Sequence, residues 1–138
     1  MNRLENWVIL LDKFIESNRD RAFERGVFDC ALFAGYALKE MTGETFVDEW
    51  VKTYKNKKEA FELLRAKGFK SLIELADEYL GKSMENINFA GRGDIVAVKY
   101  ENEVALAVVD LTGRRAVTTG KDGLFFFERE HWLKAWKV

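Results

Sequence analysis

Apolar residues near the start of the chain recur at helical spacing. Leu4, Trp7, Val8, Leu11, Phe14 and Ile15 fall at i, i+3 and i+4, a stripe that must pack on another element. The charged stretch from Asn18 to Gly26 breaks that period and predicts a loop. A second helix is predicted from about Asp29 to Met41, with Cys30, Phe33, Ala34, Ala37, Leu38 and Met41 on one side. Its small residues, Ala31, Ala34, Gly35 and Ala37, let a neighbour approach the backbone closely, which suits the centre of a fold. Thr42-Gly43-Glu44 closes this helix, and a short helical stretch follows around Phe46 to Tyr54. Asn56 with Glu59, and Ser71 with Glu74, have the N-cap and N3 spacing of two further helices, which Gly68 and Gly81 end.

After Gly93 the pattern changes. Ile95 to Val98, Val104 to Val109, Ala116 to Thr118 and Leu124 to Phe127 are short β-prone runs. Turn-forming residues separate them: Glu101-Asn102-Glu103, Thr112-Gly113 and Lys121-Asp122-Gly123. The tail from Glu128 predicts one helical turn and a last strand through Ala135 to Val138. Helices first and an antiparallel meander second predict an α+β domain. Phe125, Phe126 and Phe127 are consecutive, so in a strand they reach both faces, and the outward one must meet the C-terminal tail or a partner protein.

Composition narrows the class. With 138 residues, 48% of them hydrophobic, one domain spanning 1–138 is expected. A chain of this size buries roughly two-thirds of its unfolded surface and needs no disulfide or metal to fold. A net charge of -1 and a pI near 5.9 weigh against a general nucleic-acid binder. The charged clusters Asn18 to Arg25 and Lys52 to Lys58 then belong to solvated surface. One cysteine and one histidine make neither a disulfide nor a four-ligand zinc site, so no metal and no cofactor is expected. The apolar run Trp7 to Leu11 is too short for a signal h-region or a membrane span, which predicts a soluble, intracellular product.

The candidate chemistry sits at Asp29-Cys30. A cysteine in the first turn of a helix meets the positive end of the helix dipole and unpaired N–H groups, which favour thiolate and lower its pKa from about 8.5. The alternative is a buried structural cysteine on a tightly packed helix, since free cysteine is among the most buried residue types.

The string F-E-R-G-V-F-D-C-A-L-F (Phe23 to Phe33) and the later G-R-G-D-I-V-A-V (Gly91 to Val98) resemble the NlpC-type papain-like cysteine hydrolases. The whole chain, including the closing Ala135-Trp136-Lys137-Val138, is similar to a family of unknown function found among the tail-tip genes of tailed phages and prophages. The resemblance implies a papain-like fold in which a central helix bearing Cys30 packs on a small antiparallel sheet. It also implies that Cys30 holds the nucleophile position, beside Asp29, and that Gly93-Asp94 opens the first strand. In the hydrolases a histidine on the second strand is the base. The matching strand here has Ala105-Leu106-Ala107-Val108, so the resemblance makes Ala105 the vacant histidine position. Thr118 or Thr119 would take the polar third position, with no imidazole to orient. His131 could substitute only if the tail folded back over the cleft. Asp94 and Glu103 are acidic candidates, better explained as a strand cap and a solvated turn.

Three functions follow as expectations. The first is a non-catalytic tail-tip structural or assembly protein, made in the bacterial cytoplasm, located in the virion tail and partnered by other tail-tip proteins, one of which would cover the outward phenylalanine. The second is an active cysteine amidase on cell-wall peptides with a non-standard base. The third is a module that holds a peptide or glycan without cutting it.

Overall fold

The helical stripes fold as four helices and the β-prone runs as five strands in a computed structural model that describes residues 1–138. Helix α1 is Trp7–Asn18 and buries Leu11 and Ile15. Helix α2, Cys30–Thr42, starts at Asp29, whose carboxylate accepts from the Leu32 N–H, and ends on Gly43 in the left-handed conformation. Helices α3 (Lys57–Ala66) and α4 (Leu72–Leu80) begin at Asn56 and Ser71, which accept from the N–H groups of Glu59 and Glu74. In α3 the Glu59 carboxylate also accepts from the Lys55 N–H at 3.0 Å, completing the capping box.

Between α2 and α3 only one short turn of 3₁₀-helix forms, Val47–Glu49. Buried side chains hold this stretch: Phe46, Val47, Trp50 and Tyr54 all enter the core. Gly35 makes room for it, because a Cβ there would lie 2.4 Å from a Val47 methyl. The small face of α2 therefore has the use that its composition implies.

The strands are β1 (Ile95–Tyr100), β2 (Glu103–Val109), β3 (Arg115–Gly120), β4 (Gly123–Glu128) and β5 (Trp132–Trp136). They form one antiparallel sheet in the order β4-β3-β2-β1-β5. The first four are a meander, and β5 crosses to the opposite edge, pairing Trp136 with Ile95 and Ala135 with Val96. The last strand thus starts three residues before the expected Ala135, because Trp132 already buries its ring and pairs with Val98.

Strand alternation makes two cores. Ile95, Ala97, Leu106, Val108 and Val117 face the helices, where they join Leu11, Phe28, Phe33, Leu38 and Trp136. Val96, Val98, Ala107, Val109, Ala116, Phe127, Trp132 and Ala135 face the other way and are covered by Met84, Ile87 and Ala90. Arg129 fastens that cover, donating to the carbonyls of Ile87 (3.1 Å) and Gly113 (2.9 Å). The sheet curls toward this face, since the rings of Tyr100 on β1 and Phe127 on β4 come within 5.4 Å across two intervening strands. Phe126 packs on the helix side under the guanidinium of Arg115, while Phe125 and Phe127 take the far side. The tail covers Phe127, where the Trp132 indole donates to its carbonyl at 3.2 Å; Phe125 stays 48% exposed.

The Gly93-Asp94 pair is a structural knot. Asp94 Oδ1 accepts from Arg3 Nη2 (2.9 Å) and the Val138 N–H (3.0 Å), and Oδ2 accepts from the Gly91 N–H (2.9 Å). Gly93 has φ +82°, and a Cβ on it would lie 2.8 Å from the Trp7 ring. One buried carboxylate so ties both ends of the chain to the start of the sheet. No helix is long and apolar enough to cross a membrane.

Candidate functional site

Asp29 organises the start of α2. Besides capping the helix, its Oδ2 accepts from the Gly26 N–H at 3.0 Å and from the Tyr54 hydroxyl at 2.5 Å. The approach is close: Gly26 has φ +82°, and a Cβ there would collide with the Tyr54 carbonyl oxygen. Gly26 also accepts from the Lys52 N–H at 2.7 Å. The loop before α2 and the segment before α3 are thus locked together over one carboxylate that is 2% exposed. Tyr54 is pushed well above the usual phenol range, first by burial and then by the Asp29 charge, so it stays a neutral donor.

Cys30 is the first residue of α2 and its thiol is free. The residue keeps some exposed surface, yet burial is the largest influence on the sulfur, and with the Asp29 charge it pushes the pKa up to about 11. The Leu106 backbone, the Arg25 charge and the Ala31 backbone pull the other way and lose. The depressed pKa expected from the helix terminus is therefore corrected. A helix end supplies about 0.3–1 kcal/mol, less than one pH unit, whereas burial moves pKa values by several.

Across from Cys30 on β2 is the backbone of Leu106, whose side chain faces the helices and is 1% exposed. Ala105 packs on the far face of the sheet with Val98 and Ala107. The vacant-histidine assignment to Ala105 is thereby corrected: strand alternation points a side chain at 105 away from Cys30. The same parity separates the threonines. Thr118 pairs with Phe125 on the far face, and Thr119 pairs with Leu124, which packs on the helix side. Both hydroxyls are buried without a hydrogen-bond partner. Thr118 is thus on the wrong face for a third position beside Cys30.

The other candidates lie elsewhere. His131 is half exposed, 3.7 Å from Glu130 and edge-on to Phe127, a ring of the far-face core. The tail does fold back, but it carries His131 to the far face of the sheet, away from α2. Glu103 pairs with Lys57 at the surface, and Asp94 is committed to its knot. No group of three or more His, Cys, Asp or Glu side chains is placed to hold a metal. Two surface grooves, of about 900 and 620 Å³, lie away from Cys30, with Lys13 and Tyr36 in the first and Trp7, Arg92 and the committed Asp94 in the second.

Tyr54, Arg25 and Leu106 surround the thiol and were not evident as site residues. The available signal was Asp29 itself: an N-cap carboxylate spends one oxygen on its helix, and a buried second oxygen demands donors from distant chain. The arrangement can hold a protonated thiol and brace a helix start. It places no general base at the sulfur.

Fold and site together define an α+β domain with a largely buried cysteine at the head of its central helix. Residues 2–138 match the family model of a domain of unknown function, DUF6950, and the chain belongs to that family. No curated protein matches it.

Proposed function

We propose that this chain is a non-catalytic descendant of NlpC-type papain-like cysteine peptidases, retained as a structural or assembly protein at a phage or prophage tail tip. The observation that carries the non-catalytic part is the setting of Cys30: a largely buried thiol with its pKa pushed up to about 11, with the Asp29 charge and the Leu106 backbone beside it and the lone histidine on the far face of the sheet. At neutral pH such a thiol stays almost wholly protonated. A missing imidazole base removes a further ~10²–10⁴ in rate. The tail-tip part rests on the likeness of the sequence to a tail-tip gene family. In this reading the partners are other tail-tip proteins, and the protein is made in the bacterial cytoplasm and carried in the virion tail.

Two assays test it. Purified protein at stoichiometric concentration leaves murein stem peptides uncut, and Cys30→Ser phage assembles and infects as wild type with the protein present in tails. Murein turnover that disappears with Cys30→Ser, or a protein that never accompanies tail particles, overturns the corresponding half.

A further inference from the structure

The groove of about 620 Å³ lies where the two ends of the chain meet at the Asp94 knot. Trp7 forms part of its lining, with the Arg3 guanidinium 4.1 Å from the ring centroid and that of Arg92 at 5.7 Å. Phe89 stands at its edge and is 73% exposed, more than any other large hydrophobic residue. Arg3 is already committed to Asp94 and a Val138 oxygen. Arg92 and Lys137 are not: neither makes an ion pair, and both line the groove. The only acid in the lining, Asp94, accepts three hydrogen bonds of its own. The larger groove differs in that two acids, Glu16 and Glu40, stand among its three bases, against one acidic side chain among three bases in the smaller.

We infer that the smaller groove docks an acidic segment of a partner protein, with carboxylates on Arg92 and Lys137 and an apolar side chain between Phe89 and Trp7. Charge complementarity selects this occupant. The whole chain carries a net charge of -1, so attraction for acids needs a local surplus of cations such as the one this groove holds. An arginine stacked on an aromatic ring keeps its N–H groups free for a carboxylate. The groove gives the assembly reading its partner surface and rests on that reading only for the existence of a protein partner. The two fail separately: loss of docking leaves the inertness of Cys30 untouched, and a reactive Cys30 leaves the charge of the groove unchanged.

The test is fluorescence anisotropy of the full chain with a labelled short peptide of glutamates around one leucine. A lysine version of the peptide and vesicles of equal parts phosphatidylcholine and phosphatidylglycerol are run beside it. The glutamate peptide binds, added salt weakens it, and the Arg92→Glu/Lys137→Glu variant loses on the order of tenfold in affinity. Phe89→Ala loses several-fold, and Lys13→Glu/Lys39→Glu, in the other groove, binds as wild type. Unfolding midpoints equal to wild type establish that the variants are folded. Absence of binding, equal binding by the Arg92/Lys137 variant, or capture by the vesicles in place of the peptide overturns the inference.

Discussion

At the scale of single residues, burial and the Asp29 charge set the chemistry of Cys30. The thiol stays protonated in the folded chain up to a pH near 11, whereas in the unfolded chain it ionises near 8.5–9. Below about pH 8.5 both states hold the proton and the difference contributes fully to stability. As pH rises from there toward 11 the unfolded chain alone releases it, and about 2–3 kcal/mol of stability is lost. Urea unfolding of wild type and Cys30→Ala at pH 8 and pH 10 checks this: the wild-type midpoint falls more steeply over that interval. Asp29→Asn removes the neighbouring negative charge, so the thiol pKa moves down, read from the pH dependence of alkylation. The Asp29-Cys30 pair was legible in the sequence because a cysteine in the first turn of a helix is a local signal. Tyr54 and Gly26 were not, because their hydrogen bonds to the second carboxylate oxygen follow from how two distant loops meet.

At the scale of elements, strand parity decides which side chains can meet the thiol. Ala105 and Thr118 belong to the far face, and Leu106 to the face of α2. Ala105→His consequently leaves alkylation of Cys30 within about twofold of wild type, because the ring enters the far-face layer and never nears the sulfur. A gain in thiol reactivity in that variant contradicts the assigned register. The helix caps and most strand runs were legible from short-range patterns, Asn56 with Glu59 and Ser71 with Glu74 most clearly. Which face a strand residue takes was not, since in a sheet buried on both sides apolar residues run continuously and alternation carries no sign. The early start of β5 was hidden for a related reason: Trp132 is drawn in by the far-face core, which no local pattern announces.

At the scale of the whole molecule, Asp94 joins the N-terminal segment, the C-terminal residue and the first strand through one buried carboxylate. Asp94→Ala leaves Arg3 and two backbone N–H groups without their acceptor and costs about 3–5 kcal/mol. Denaturant unfolding gives the magnitude, and faster proteolysis near Arg3 shows that the end of the chain has been released. The α+β order was readable from helices preceding strands. The second core was not, because it depends on the curl of the sheet and on the Met84 to Ala90 cover held by Arg129. The same global arrangement packs Asp29 and Leu106 at the head of α2, largely sealing the thiol. The rate of iodoacetamide reaction with Cys30 at pH 7.5, compared with free cysteine, measures that sealing directly. A rate at least about tenfold slower is the predicted result; a rate faster than free cysteine contradicts it.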